Sequence, residues 1–191
     1  MTKILQKDFF QKPALEIATD FLGKTLVHIT LDGRVSGIIT DVEAYPAKID
    51  EVSHGNKKTK RTEVMYREGG YAYVYLIYGI HHQFAVVVNK QDIPEVVFIR
   101  AVKPQEGIEI MEKNFSKPVK KNQDLTKSPG NLCKSFGITL DLYGEPIPGE
   151  KIWIEDTENS LDQKKIKAAE RVGIRNELKG SNRKYRYFIN F

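Results

Sequence analysis

A chain of 191 residues with 40% hydrophobic and 29% charged residues is long enough to bury a proper core and ordinary in balance for a globular protein. No apolar run approaches the length of a membrane span, and the opening MTKILQKDFFQKP lacks the long apolar stretch and small-residue cleavage site of a secretory signal. The one cysteine, Cys133, excludes an internal disulfide framework and suits a reducing, cytoplasmic setting, while the formal net charge of +5 is basic without being histone-like.

From the N-terminus, PALEIATDFLG predicts a first helix: Pro13 suits its first turn, Leu15, Ala18 and Leu22 recur at helical spacing, and Gly23 stops it. KTLVHITL and RVSGIITDVEAY read as strands joined across Asp32-Gly33, a strong hairpin signal. If 38–45 is extended, Asp41, Glu43 and Tyr45 share one face, with Val42 and Ala44 on the other. Pro46 ends that strand, and a loop leads to His54.

In GGYAYVYLIYGIHHQ, residues 69–83, Tyr71, Tyr73 and Tyr75 fall on alternate positions, whereas Tyr78 breaks the parity and is followed by Gly79. YAYVYLIY, FAVVVN and EVVFIRAV are further strands, and short helices are expected near 105–114, 129–136 and 163–171. In the second of these, Ser128 caps, Pro129 occupies the first turn and Gly137 stops the helix. KIWIED and RKYRYFINF are late strands. Consecutive strands with short links predict an α+β fold: one domain over 1–191, built on a curved, mainly antiparallel sheet with surrounding short helices and basic loops.

The richest reactive stretch is IITDVEAYPAKIDEVSH. A carboxylate at a strand end beside a phenol is a rigid mount for a general base, although an exposed acidic strand end with a solvated histidine fits the same residues. Basic clusters occur at 56–61 (NKKTKR), at 113–127, and in the last 28 residues, where nine lysines and arginines face only Glu170 and Glu177. Such loops near tyrosines suit a polyanionic partner, nucleic acid being the commonest, and a solvated surface is the plainer reading.

Taken together, DVEAYPAKIDEVSHGNKKTKRTEVMYREGGYAYVYLIYG resembles the signature of the alkyladenine (3-methyladenine) DNA glycosylase family. The hallmarks are a Glu-Ala-Tyr, a histidine nine residues later, a Thr-x-Arg and a Tyr-Val-Tyr-x-x-Tyr-Gly; FIRAVKPQEG, SPGNLCKSFGI, ERVGI and a terminal YRYFI follow in order. The resemblance runs from about residue 8 to the end. It implies hydrolysis of the N-glycosidic bond of alkylated or deaminated purines flipped out of duplex DNA, with no cofactor, no metal, no membrane and no obligate protein partner, by a monomer.

By the same resemblance, Glu43 is the carboxylate that activates water and stabilises oxocarbenium-like charge. Arg100 and the backbone carbonyl of Val172 position that water. Tyr45 and His54 sandwich the base, Tyr75 closes the pocket edge, and the His54 amide and Val52 carbonyl contact the base edge. Tyr78 is the wedge that fills the hole in the duplex, and Arg61 contacts DNA. One departure stands out: seven residues after the wedge, where relatives often carry an asparagine that crowds guanine's exocyclic amine, this chain has Ala85, and Asn89 comes four residues too late. Weaker rejection of guanine, or a different lesion preference, is the expectation.

Three rival readings compete. A metal hydrolase would draw on His54, His81, His82, Asp41 and Glu43, but no His–x–x–x–His or Cys–x–x–Cys spacing is present. A bifunctional glycosylase needs a lysine nucleophile, and none lies within the Glu43–Tyr45 stretch. A non-catalytic nucleic-acid binder would use tyrosines on a basic sheet, yet has no need of Glu43, whose charge opposes phosphate.

Overall fold

The alternating residues do form strands. The computed structural model describes residues 3–116, 118, 120–156, 162–174 and 177–189. Its elements are β1 (Lys3–Ile4), α1 (Ala14–Ile17), β2 (Thr25–Thr30), β3 (Gly33–Tyr45), β4 (Tyr71–Ile77), β5 (His81–Val88), β6 (Glu95–Glu106), α2 (Ile108–Phe115), α3 (Pro129–Phe136), β7 (Ile152–Asp156), β8 (Lys167–Ala169) and β9 (Arg186–Phe188), with 3-10 turns between them. The nine described strands make one open sheet: seven run in the order β1-β7-β2-β3-β6-β5-β4, and off this path β9 pairs with β3 and β8 pairs with β9. Each named pairing is antiparallel. The α+β expectation holds.

β3 organises the sheet. Its 13 residues are long enough for two successive partners on one edge, β2 along Gly33–Ile38 and β9 along Asp41–Glu43, while β6 lines the other edge. Register shifts against β6 fall between Ile39 and Asp41 and between Asp41 and Val42. Such irregularities bend a strand and re-aim the side chains that follow; here the next outward residue is Glu43.

Period-two alternation sorts the strands onto two faces. Ala72, Val74, Phe84, Val86, Val97, Ile99, Val42 and Ala44 enter the main core, where Met111 of α2 and Leu132, Cys133 and Phe136 of α3 cover them. The intervening Tyr73, Ala85, Val87, Val96 and Phe98 join a smaller cluster with Val64 and Met65, and Tyr45, Tyr71 and Tyr75 pack against it. The three parity-matched tyrosines therefore do share a face.

Several boundaries differ from the sequence reading. The helix expected over 13–22 is one α turn followed by a 3-10 turn, Ala18–Phe21, because Gly23 (φ +80°) sends the chain straight into β2. The helix expected near 105 begins at Ile108: β6 runs through Glu106, and Gly107 makes the bend at φ +73°, where an added Cβ would lie 2.4 Å from the Arg34 carbonyl oxygen. The helix expected at 163–171 is instead a 3-10 turn, Gln163–Lys165, and then β8, which pairs with β9. A ladder partner from the chain's end overrides the weak local preference of that segment. α3 forms as its residues predict, with the Ser128 hydroxyl accepting from the Asn131 N–H at 3.4 Å and Gly137 at φ +68°. Lys117 of the basic stretch 113–127, Arg175 of the C-terminal basic stretch, and residues 190–191 of the last expected strand lie outside the described residues.

The N-terminal turn is tied to the sheet by Phe10, fully buried, edge-on to Phe9 at 5.1 Å, with its carbonyl accepting from the Asn89 N–H at 2.8 Å. Phe10→Ala is expected to cost about 3–5 kcal/mol, seen as a lower urea midpoint with an unchanged m value.

Candidate active site

On the face of the smaller cluster, the strands leave a cavity of about 400 Å³. β3 contributes Glu43 and Tyr45, β4 Tyr73 and Tyr75, β5 Gln83 and Ala85, and β6 Phe98 and Arg100. The loop after β3 brings Val52 and His54 over the cavity, and the segment after β8 brings Val172. Of the residues singled out from the sequence, nine line this space; Arg61 is the one that does not.

Glu43 is fully buried. Its Oε1 accepts from the Val172 N–H at 2.9 Å and faces Arg100 Nη1 at 3.0 Å, and its Oε2 accepts from the Tyr45 hydroxyl at 2.8 Å. Burial raises the carboxyl above its ordinary 4.5; Arg100, the Val172 amide and the Tyr45 phenol oppose that shift, and Asp41 reinforces it. The backbone group of Val172 that touches the carboxylate is thus its N–H, a contact the resemblance did not anticipate. Arg100 is a structural ion-pair partner as well: its Nε stands 3.8 Å from Asp41, which also accepts from Arg186 Nη2 at 2.6 Å. That places Asp41, Glu43 and Tyr45 on one face, as alternation predicts.

The walls are aromatic. Tyr73 and Tyr75 stack with centroids 4.9 Å apart, and the His54 ring stands edge-on to Tyr75 at 5.0 Å. His54 Nδ1 is 3.1 Å from the Tyr73 hydroxyl. One side of His54 remains open to solvent, yet loss of water around the ring lowers its pKa below 6.5, and the Arg61 charge adds to that. The imidazole is therefore neutral at neutral pH. Burial pushes the Tyr73 phenol up to about 12 and raises Tyr45 and Tyr75 too, so these walls stay un-ionised. Ala85, 1% exposed, presents a methyl opposite Tyr73 and Phe98 in the ladder.

At the rim, Tyr78 is 91% exposed. β4 and β5 pair out to Ile77 and His81, leaving Tyr78, Gly79 and Ile80 as the hairpin tip. Tyr78 (φ +53°) and Gly79 (φ +72°) both turn left-handed, and nothing lies within 4 Å of a Cβ added at Gly79. The parity break is a turn that thrusts a phenol into solvent.

Sequence reasoning missed Asp50 and Arg171, which hold the cavity's roof. Both side chains are fully buried. Arg171 Nη1 and Nη2 donate to the two Asp50 carboxylate oxygens, and also to the Ala44 and Gly180 carbonyls, each at 3.1 Å. The guanidinium lies 4.6 Å over the Tyr45 ring and 5.4 Å from that of Tyr185. One cation thereby fastens the end of β3, the loop bearing Val52 and His54, and the segment bearing Val172. Its one local signal was its place beside Val172 in ERVGI.

Removing either half of this pair strands a buried charge. Asp50→Asn and Arg171→Met are each expected to cost about 3–5 kcal/mol in urea unfolding, with the double variant costing less than the sum.

Comparison with known proteins places this geometry. The profile of the family described as Methylpurine-DNA glycosylase (MPG) matches residues 8–190. A protein of Natranaerobius thermophilus is 40% identical over 188 residues, covering 97% of this chain and 94% of its own length. One of Oceanobacillus iheyensis is 38% identical over 188 residues, covering 97% and 92%. One of Alkaliphilus oremlandii is 42% identical over 159 residues, covering 79% of each. All three bear the name "Putative 3-methyladenine DNA glycosylase". With its whole cavity inside the matched span, the chain belongs to the methylpurine-DNA glycosylase family.

Proposed function

We propose that this protein is a monofunctional DNA glycosylase: it draws an alkylated or deaminated purine out of duplex DNA into the aromatic cavity and hydrolyses its N-glycosidic bond, leaving an abasic site. The observation that carries this reading is a buried carboxylate held by two hydrogen-bond donors and an arginine ion pair inside a cavity walled with un-ionised π faces, next to a solvent-directed tyrosine.

A carboxylate has about four lone-pair directions. The Val172 amide and the Tyr45 hydroxyl take two of them in Glu43 and Arg100 faces it as an ion pair, leaving room for a water. As the bond from C1′ to the purine nitrogen breaks, its electron pair leaves with the base and the sugar gains oxocarbenium character. The water oxygen adds to C1′ while its proton passes to Glu43, whose charge also favours the cationic sugar. Arg100 and the Val172 amide hold the carboxylate in place for that transfer. Tyr45 and His54 offer the base two π faces, and Tyr75 bounds its edge. Tyr78 occupies the vacated stack, and basic residues including Arg61 engage phosphate without reading sequence. Among the described residues that line the cavity none is a lysine, which supports simple hydrolysis over strand nicking. Double-stranded DNA bearing a damaged purine is the partner, and Ala85 leaves room for an exocyclic amine that a larger side chain would crowd.

Glu43→Gln is expected to keep binding to damaged duplex while lowering single-turnover excision by about 10²–10⁴-fold; excision equal to wild type would remove its assigned role. Because the ionised carboxylate is the active form and its pKa lies above 4.5, the wild-type rate should fall with decreasing pH along a limb centred above that value. The limb should vanish in the glutamine variant.

Tyr78→Ser should weaken capture of the lesion by roughly 10–100-fold, since stacking is worth about 1–3 kcal/mol per base. Its melting temperature should move by less than about 2 °C, as for other surface changes. A large loss of thermal stability would show that the phenol serves the fold instead.

A further inference from the structure

Among the described residues that line the cavity, Gln83 is a buried polar side chain that the catalytic scheme leaves without a role. It is 5% exposed, sits on β5 directly across from Tyr75, and lines the cavity two residues before Ala85 on the same face. Its Nε2 donates to the His82 carbonyl at 2.8 Å. An amide oxygen cannot make that bond, so the carboxamide has one orientation, with Oε1 on the opposite side. Oε1 accepts from no described residue. Unlike Arg100 Nε and Arg171 Nε, it is not sealed from open space, and the space that Gln83 borders is the cavity. Its neighbours there include Tyr75, Ala85 and Phe98. Water can reach that oxygen; a base that fills the space displaces the water, and the acceptor is then costly unless the base supplies a donor.

We propose that Gln83 is a specificity-determining residue: its Oε1 accepts a hydrogen bond from the exocyclic amine of a damaged amino purine, so the slot prefers lesions that carry the amine. The proposal rests on the glycosylase reading and adds to it the class of base preferred. The methyl of Ala85 leaves the adjoining space for that amine. A purine with a carbonyl oxygen in the amine's place would set acceptor against acceptor, and turning the amide over would break the bond to His82. A site with a fixed acceptor discriminates strongly against an analogue without the donor, because the buried oxygen is then left unpaired.

The test uses two pairs of duplex lesions: 7-methylguanine and 7-methylhypoxanthine differ only at the 2-amine, while 3-methyladenine and hypoxanthine differ at the 6-position and also at N3, so there the readout is the change between wild type and variant. kcat/KM is measured for wild type, Gln83→Met and Gln83→Leu below their melting temperatures. The expected result is a wild-type preference for the amine-bearing member of at least one pair, narrowed about tenfold in both variants; the pair that responds identifies which edge of the base Gln83 meets. Preferences unchanged in both pairs, or activity lost in parallel on every lesion, would overturn the proposal, since a purely structural glutamine lowers all rates alike. Wild-type protein that excises none of the four would bring it down together with the glycosylase reading, an outcome distinct from unchanged preferences.

Discussion

The site depends on keeping one carboxylate, Glu43, out of water without neutralising it. Burial alone drives a carboxyl toward its protonated form. Three groups from separate parts of the chain oppose this: the Tyr45 hydroxyl two residues on and the Val172 amide from 129 positions away donate hydrogen bonds, and the Arg100 charge from the neighbouring strand faces it as an ion pair. The result is a group with a raised pKa that still carries specific support for its charge. That compromise suits the role proposed for Glu43, a base that takes a proton and also steadies positive charge on a sugar. Removing any of the three tips the balance toward protonation.

The sheet supplies the geometry for this arrangement. Alternation on β4 and β5, and on β3 and β6 beyond their register shifts, sends one set of residues into the main core and the other toward the cavity. The same strands that anchor the fold therefore hold the reactive groups, and strand-mounted side chains are more rigid than loop-mounted ones. The register shift just before Glu43 turns its carboxylate toward the cavity at the point where β9 joins the edge of β3. Where the loops must take part, Arg171 fastens them: its two terminal nitrogens donate to four oxygens across three chain segments and its guanidinium lies over Tyr45. An arginine suits this place better than a lysine, since its planar fork can satisfy several oxygens at once while stacking on a ring.

Around that fixed centre the aromatic groups divide into two kinds. Tyr45, Tyr73, Tyr75 and His54 are partly desolvated and electrically neutral, which fits the proposed slot for a flat base. Tyr78 is the opposite case, a large ring in solvent on a left-handed turn. An exposed aromatic at a hairpin tip gains nothing from the fold that carries it, so its benefit lies in what it meets outside.

Much of this was legible locally. The shared faces of Tyr71, Tyr73 and Tyr75 and of Asp41, Glu43 and Tyr45, the bend at Tyr78-Gly79, and the capped α3 follow from period-two and capping rules that act within a few residues. The roles of Glu43, His54 and Arg100 came from a resemblance, not from spacing. Tertiary structure alone decided that 167–169 is a strand, because its ladder partner lies at the end of the chain. It alone brought the Val172 amide to Glu43, joined Asp50 to Arg171, and placed Gln83 in the cavity wall. Alternation and turn chemistry are written in neighbouring residues, whereas a hydrogen bond between positions 129 apart is set by how the whole sheet folds.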